Sequence, residues 1–293
     1  MFTTALACVV VSCTNSKLRS MSATDETRSS DVVKGYAPVN GLKMYYEIHQ
    51  PIDDTGKRKP PVVLIHGGGS TIQTSFGKIL PLLAQHYKVI AVELQAHGHT
   101  SDRSSAESFN QDADDVAALL AYLEINKASF LGFSNGGHTA MQIGISHPEL
   151  VNKLIIVSAF YKRGGTVNGF FEGLKNANLG NMPAPLKEGY LKINNDSAGL
   201  QAMFDKDVNR MLQFKDWGDQ ALRSIQAPTF IIAGDHDVVT PEHAVKMSQL
   251  IPNAQLMILP GTHGSFIGEV CTATEGSKIP GATVAIIQEF LDK

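Results

Sequence analysis

The chain is poor in cysteine, with only 3 among its 293 residues. Beyond Cys13 the only one is Cys271, so the remainder of the chain cannot form an internal disulfide. We expect Cys271 to be an inert structural residue. A strong charge of either sign is also missing, since the formal net charge is −3. This small negative charge gives no electrostatic reason to expect nucleic acid as a partner.

Long hydrophobic runs are missing as well. The apolar stretch at residues 2–11 is too short to span a bilayer as a helix, but it has the length of a signal-peptide core. Residues 10–13, Val-Val-Ser-Cys, match a bacterial lipobox, in which the cysteine becomes the lipidated first residue. We therefore expect residues 1–34 to be a leader followed by a disordered polar tether.

This leader lacks one feature of an export signal, because no Lys or Arg precedes its apolar run. The expected location is the cell envelope, with attachment to a membrane through lipidated Cys13. The alternative is a cytoplasmic protein that starts at Met21.

The rest of the chain, residues 35–293, has the composition of one large domain. Hydrophobic residues make up 43% of the chain, which is enough for a sizeable core. Short β-branched runs alternate with helical patterns, which predicts an α/β fold with a mostly parallel twisted sheet and helices on both faces. We find no internal repeats.

One serine lies in a pattern typical of a nucleophile. Residues 132–136 read Gly-Phe-Ser-Asn-Gly, directly after the apolar run 129–131 and before a helical pattern at 137–145. A G-x-S-x-G sequence between a strand and a helix places the serine, here Ser134, on a sharp turn with its hydroxyl exposed. The flanking glycines avoid side-chain clashes at that turn.

Three further motifs follow predicted strands, in an order that suits acyl transfer. The strand at 61–65 ends in His66 and three glycines, whose N–H groups can approach a developing oxyanion closely. The strand at 229–233 ends in Gly-Asp-His-Asp, and the strand at 255–259 is followed by Pro-Gly-Thr-His-Gly. An oxyanion loop, a serine, an acid and a histidine thus occur in this order.

With these four motifs, residues 36 to 293 resemble an α/β-hydrolase-fold serine hydrolase of the esterase-like, short-cap type. The resemblance implies a catalytic triad of Ser134, Asp237 and His263. It also implies an oxyanion hole made by the backbone N–H groups of Asn135 and Gly68. The loop at 93–100 is similar to the family's Asp-x-x-Gly-x-Gly-x-Ser/Thr, although Glu93 replaces the Asp and Ala96 the first Gly.

The acid of the triad and the second oxyanion donor each have an alternative candidate. Gly234, Asp237 and Pro241 match the family's Gly-x-x-Asp-x-x-x-Pro pattern, so Asp237 is preferred to Asp235, which we expect to be a turn residue or the cap of the next helix. Gly69 is an alternative to Gly68 as oxyanion donor, because a run of three glycines permits more than one loop register.

The other histidines are expected to have structural roles. His66 should hydrogen-bond beneath the oxyanion loop. His97, His99 and Asp102 resemble part of a metal site, but no further ligands occur at the spacing that a metal hydrolase needs. We expect His236 to face solvent and the remaining five histidines to lie at the surface. The expectation is therefore a site with no metal and no cofactor.

The interval between the strands at 154–157 and 229–233 is too long for a simple connection. In the family this interval carries a helical cap, here placed at about 160–225, which would cover the site. It is rich in large apolar residues, of which we expect about a third to line the pocket and the rest to form cap core. These are Tyr161, Phe170, Phe171, Leu174, Tyr190, Met203, Phe204, Met211, Phe214 and Trp217.

The resemblance implies a cofactor-free hydrolase that cleaves an ester-type bond of a small or medium, largely apolar substrate through an acyl-enzyme. Two alternatives stay open, since fold does not fix function. One is an acyltransferase or perhydrolase that uses the same triad, and the other is a non-catalytic binding protein on this fold. Dehalogenase and epoxide-hydrolase chemistry is disfavoured, because both use an aspartate where this chain has Ser134.

Overall fold

An eight-stranded sheet lies at the centre of the protein, in a computed structural model that describes residues 32–51 and 59–293. Its spatial order is β1-β2-β4-β3-β5-β6-β7-β8. The strands are β1 (Val32–Val39), β2 (Leu42–His49), β3 (Val62–Ile65), β4 (Val89–Val92), β5 (Ala128–Phe133), β6 (Val151–Val157), β7 (Thr229–Gly234) and β8 (Ala254–Leu259). Strand β2 is antiparallel to both of its neighbours, and the pairs from β4 to β8 are parallel.

Helices cover both faces of this sheet, as the alternating pattern predicts. The helices are α1 (Ile72–Phe76), α2 (Leu80–Leu83), α3 (Phe109–Tyr122), α4 (Asn135–Ser146), α5 (Phe170–Lys175), α6 (Ala184–Ile193), α7 (Ser197–Leu212), α8 (Asp219–Arg223), α9 (Pro241–Leu250) and α10 (Ile279–Asp292). One core cluster packs α3, α4 and α9 on one face, and a second packs α1, α2 and α10 on the other. Because both faces are covered, β3, β4, β5 and β7 are buried along their whole length.

The folded domain begins earlier than the predicted boundary at residue 35. Strand β1 starts at Val32, so residues 32–34, which we assigned to the tether, pair with β2 instead. This pairing with residues 47–49 in the antiparallel ladder extends the domain by three residues. The leader and Cys13 lie outside the described residues. In the part that is described, no helix is both long and apolar enough to cross a membrane.

The segment between β6 and β7 carries four α-helices, α5 to α8, in the interval for which the sequence predicts a cap at about 160–225. Two small apolar clusters hold it together. One is built around Phe160, Phe171 and Phe214, and the other around Tyr190 and Met203. Helix α6 packs on α1, next to the oxyanion loop. We call residues 158–228 the cap segment.

Candidate active site

Ser134 lies at a sharp turn where β5 passes into α4. Its backbone has φ 54° and ψ −117°, a conformation rarely adopted by a residue with a side chain. The turn is possible because the flanking glycines allow very close packing. A Cβ on Gly132 would lie 2.0 Å from the carbonyl oxygen of Gly136, and a Cβ on Gly136 would lie 2.0 Å from that of Ile65. The two glycines of the motif are therefore required by the backbone around Ser134.

A chain of hydrogen bonds joins Ser134 to His263 and Asp237. The Nε2 atom of His263 lies 3.0 Å from Ser134 Oγ, and its Nδ1 atom lies 2.6 Å from Asp237 Oδ1. His263 is in the loop after β8 and Asp237 in the loop after β7, so parallel pairing of the strands brings them to one edge of the sheet. This geometry suits removal of the serine proton by a neutral imidazole held in one tautomer.

Asp237 is held as a carboxylate in a buried site. Its Oδ1 atom accepts a hydrogen bond from the N–H of Val238 at 2.6 Å, besides the one from His263. Its Oδ2 atom accepts from Ser158 Oγ at 2.5 Å and from the N–H of Gly234 at 3.2 Å. Burial alone would raise the pKa of Asp237, but these hydrogen bonds outweigh it and lower the pKa. Asp237 can therefore stay ionised and orient the imidazole.

Asp235 and His236 point away from this chain of hydrogen bonds. Asp235 is exposed, and its Oδ1 atom accepts from the N–H of Gly261 at 2.8 Å, as expected of a turn residue. The other suggested role for Asp235 was wrong, because Thr240 caps α9 by accepting from the N–H of His243. His236 is exposed, as predicted.

The oxyanion loop and the start of α4 lie side by side. A Cβ on Gly68 would lie 2.4 Å from Asn135 Nδ2, so the two predicted donor residues are in contact. Asn135 is the first residue of α4, where a backbone N–H has no partner within the helix and the helix dipole favours negative charge. The N–H of Gly69, in contrast, is engaged by Asp207 Oδ2 at 2.5 Å. This geometry favours Gly68 over Gly69 as the second donor.

His66 has the structural role that the sequence predicts. Its Nε2 atom accepts from the N–H of Leu94 at 3.0 Å, and its Nδ1 atom lies 2.7 Å from the carbonyl oxygen of Gly67. Full burial lowers the pKa of His66 to about 3, so the ring is neutral. It fastens the oxyanion loop to the segment that follows β4.

The three residues that resembled part of a metal site have different partners. His97 lies 2.9 Å from Asp207, His99 lies 2.9 Å from Glu93, and Asp102 binds the ammonium group of Lys206 at 2.6 Å. Among residues 32–51 and 59–293, no group of three or more candidate ligands is arranged to hold a metal ion.

The expectation of surface positions is wrong for His138 and His49. His138 is only 1% exposed and lies one turn into α4, with Nδ1 3.0 Å from the carbonyl oxygen of Ser134. Its ring stacks on Phe109 and meets the edge of Phe160. Burial among these rings lowers the pKa of His138 to about 3. His49 is buried at the end of β2, where it pairs with Glu47.

An apolar cavity of about 190 Å³ adjoins the oxyanion loop. Most of its wall comes from α5, α6 and α7 of the cap segment and from the turn before α6. Of the ten large apolar residues singled out in the sequence, three line it. Its lining residues are Gly68, Gly69, Asn135, Leu174, Met182, Pro183, Leu186, Phe204, Asp207, Val208 and Met211. Asp207 is the only charged member of this set.

Comparisons with known proteins agree with this architecture. A family model described as "alpha/beta hydrolase fold" matches residues 60–186. A putative esterase/lipase of Haemophilus influenzae is 26% identical over 272 residues, which cover 85% of this chain and 88% of that protein. The human serine hydrolase BPHL is also 26% identical, covering 80% of this chain and 81% of its own.

Solved structures share the same fold. A serine hydrolase involved in carbazole degradation superposes with a TM-score of 0.71 at 22% identity, covering 89% of this chain and 99% of its own. An alpha/beta hydrolase fold protein from Chitinophaga pinensis gives a TM-score of 0.69 at 19% identity, covering 90% and 98%. The sheet topology and these matches define a protein with the α/β-hydrolase fold. Within that class, the relatives that the chain resembles are named as an esterase/lipase and a serine hydrolase.

Three residues of the site were not predicted from the sequence. Ser158 follows β6, and its place at the carboxyl end of a parallel strand was an available signal. His138 was hidden in the apolar pattern of α4. Asp207 lies among ordinary polar residues of α7, and no local signal distinguishes it.

Proposed function

We propose that this protein is a cofactor-free serine hydrolase that cleaves an ester-type bond through an acyl-enzyme. The observation that carries the proposal is the unbroken path from Ser134 Oγ through His263 to Asp237, with donor–acceptor distances of 3.0 and 2.6 Å. All three side chains have the partners that the reaction needs before any substrate binds.

The proposed reaction has two halves. Ser134 Oγ attacks the carbonyl carbon while His263 Nε2 takes the serine proton, and the N–H groups of Asn135 and Gly68 stabilise the oxyanion. The oxyanion collapses, and the C–O bond breaks as His263 returns the proton to the leaving alcohol. Water then repeats the attack with His263 as base, which releases the acid and restores Ser134.

The cavity beside the oxyanion loop supports a small or medium, largely apolar substrate. Its volume of about 190 Å³ is smaller than the roughly 300–1,000 Å³ typical of pockets for drug-sized ligands. Its walls are mainly apolar, with the side chains of Met182, Leu186 and Phe204 among them. A short acyl chain would fill this space, whereas a long one would have to leave it.

Two relatives are named as hydrolases of unsaturated carboxylic acids. One is a 2-hydroxy-6-oxo-6-(2'-aminophenyl)hexa-2,4-dienoic acid hydrolase, and the other a 2-hydroxy-6-oxononadienedioate/2-hydroxy-6-oxononatrienedioate hydrolase. The lining of the cavity argues against such a substrate here. It contains no Lys or Arg to receive a carboxylate, and its charged residue is Asp207. A neutral ester therefore fits the described wall better than a dienoic acid does.

The test is covalent labelling with a fluorophosphonate, followed by turnover of p-nitrophenyl acetate, butyrate and palmitate. We expect labelling at Ser134 and faster turnover of acetate and butyrate than of palmitate. Ser134→Ala should remove labelling and turnover with little change in melting temperature. Ser248→Ala, on α9 outside the site, is the matched control and should keep both. Labelling that persists in Ser134→Ala would reject the proposal.

Whether water or another acceptor takes the acyl group decides between hydrolase and acyltransferase or perhydrolase. We favour water, because the relatives carry hydrolase names. Product analysis with an alcohol or hydrogen peroxide present separates the three.

We also infer from the lipobox-like sequence that Cys13 carries lipid and attaches the enzyme to a membrane. An unmodified N-terminal peptide in mass spectra of the native protein would contradict this.

A further inference from the structure

Asp207 connects the cap segment to the oxyanion loop. Its Oδ2 atom lies 2.5 Å from the N–H of Gly69 and 2.9 Å from His97 Nε2. Its Oδ1 atom accepts from Asn135 Nδ2 at 3.1 Å and from the guanidinium group of Arg210. One carboxylate on α7 thus binds the loop that carries Gly68, the turn after β4 and the first residue of α4.

These four donors occupy the carboxylate fully. A carboxylate offers about four lone-pair positions, so Asp207 has none left for a cationic substrate group. Gly69 N–H also lies 3.2 Å from His97 Nε2, but the paired Nε2 donates to Asp207 and cannot accept. The N–H of Gly69 is therefore committed to Asp207. Although Asp207 lines the cavity, its contacts are those of a residue that holds other groups in place.

The carboxylate is the centre of a buried ionic cluster. Asp207 is 8% exposed, and Arg210 behind it also binds Asp112 at 2.6 Å and lies 3.5 Å from Glu107. Burial lowers the pKa of His97, but the ion pair and hydrogen bond with Asp207 outweigh it and raise the pKa to about 9. Asp207 thus faces two cations, and its position is set by charge as well as by hydrogen bonds.

We propose that Asp207 is a positioning residue of the oxyanion hole. By engaging the N–H of Gly69, it fixes the loop register in which the N–H of Gly68 is left for the substrate oxygen. By binding Asn135, it also fixes the other donor residue against the loop. Because Asp207 belongs to α7, the site is complete only when the cap segment is seated. This inference rests on the proposed serine-hydrolase function.

The cluster offers a matched pair of variants. Asp207→Asn and Asp112→Asn each remove one buried carboxylate from Arg210, but Asp112 has no contact with Gly69. A positioning role should appear in kcat, because the oxyanion develops only in the transition state. We expect Asp207→Asn to lower kcat for p-nitrophenyl butyrate by about 10²-fold, with KM changed less than about threefold. Asp112→Asn should keep kcat within about threefold of the wild type.

A purely structural role would give another pattern, in which both variants lose melting temperature and kcat alike. That result, or a kcat for Asp207→Asn within about threefold of the wild type, overturns the inference. If Asp207→Asn does not fold, Asp207→Glu is measured by the same rule, since it keeps the charge but moves the carboxylate by one methylene. A wild-type protein that fluorophosphonate does not label overturns the proposed function and this inference with it. If the wild type is labelled but Asp207→Asn and Asp112→Asn have equal kcat values, the inference about Asp207 is overturned and the proposed function stands.

Discussion

Asp235 and Asp237 lie in one turn, yet their surroundings give them different chemistry. Asp235 is exposed and holds the turn through the N–H of Gly261. Asp237 is 4% exposed and receives hydrogen bonds from His263, Ser158 and Gly234. The Asp237 carboxylate lies 2.6 Å from His263 Nδ1, where it can hold the imidazole in one tautomer, so position and burial together separate the two aspartates.

The residue-scale prediction compares these two aspartates. Asp237→Asn should lower kcat by about 10³ to 10⁴, because the amide favours the wrong tautomer of His263 and cannot stabilise the imidazolium. Asp235→Asn, the matched control, should stay within about threefold of the wild type, since its amide oxygen can still accept from the N–H of Gly261. Steady-state kinetics with p-nitrophenyl butyrate make the comparison. The opposite ranking would assign the acid to Asp235.

Among the single residues of the site, those that directly follow strands could be predicted from the sequence. Ser134, Asp237 and His263 each follow a short apolar run, and the carboxyl ends of parallel strands meet at one edge of the sheet. The supporting residues are different. His138 belongs to a helix whose residues 135–144 are all buried, polar ones included, and its ring packs against rings of the cap segment such as Phe214. Such a contact is visible only after the chain has folded.

At the scale of elements, the turn between β5 and α4 depends on how closely α4 approaches β3. Gly136 sits against the end of β3, where a Cβ would lie 2.0 Å from the carbonyl oxygen of Ile65 and 2.5 Å from that of His66. Both neighbours are backbone atoms of buried residues, so neither can move aside cheaply. The helix can approach this closely only because residue 136 has no side chain.

We therefore predict that Gly136→Ala is destabilising, because α4 must shift away from β3 or the strand must distort. The expected loss is about 1–3 kcal/mol in the free energy of unfolding, together with reduced turnover, since Ser134 and Asn135 move with the helix. The control is Gly173→Ala in α5, where a Cβ meets nothing within 4 Å and alanine is the better helix former. Denaturant melts of both variants provide the measurement. An unfolding curve of Gly136→Ala that coincides with that of the wild type would contradict this prediction.

Elements were predictable to different degrees. The buried strands and α4 were recognised from apolar runs and a motif, because local pattern determines them. The loop at 93–100 also kept its fold despite its departures from the family. Ala96 takes the left-handed conformation at φ 62°, and Glu93 accepts from the N–H of His99 at 2.7 Å. The four cap helices were not placed individually, because their apolar residues suit several helix boundaries. Packing on one another and on α1, α4 and α9 selects among these.

On the scale of the whole molecule, the site joins parts of the chain that are far apart in sequence. The hydrogen bond from Gly69 to Asp207 connects residues 138 positions apart, and the one from His263 to Ser134 spans 129. Sequence order predicted the second contact because the fold family was recognisable. The hydrogen bond between Gly69 and Asp207 could not be predicted in this way, since Asp207 resembles any other polar residue on an amphipathic helix.

Buried titratable groups on both sides of neutral pH shape the stability of the whole protein. His66 and His138 have pKa values lowered by burial to about 3, so they stabilise the fold above their unfolded pKa of about 6.5 and lose that contribution as pH falls toward 3. His97 has the opposite sign. Its pKa of about 9 gives stability that is complete below about 6.5 and is lost as pH rises through 9. Burial also raises the pKa of Glu107 to about 8, and its stabilising protonated form is lost as pH rises through that value.

For the whole molecule we predict a melting temperature that is highest near pH 6.5 and falls on both sides. Each group contributes up to about 1.4 kcal/mol per pH unit between its unfolded and folded pKa values.

Single variants should separate the acid decline, below pH 6.5, from the alkaline decline above it. His138→Phe replaces a ring that stays neutral in the fold by one that never charges, so the decline between pH 6 and about 4 should become shallower while the alkaline decline is unchanged. His97→Gln should do the reverse, because glutamine can donate to Asp207 at any pH but carries no proton to lose. Melting curves of the wild type, His138→Phe and His97→Gln between about pH 4 and 9 test the prediction. If His97→Gln left the decline above pH 6.5 as steep as in the wild type, the ion pair of His97 with Asp207 would not be the source of that loss. Carboxyl groups with raised pKa values, such as Glu107, would then have to account for it.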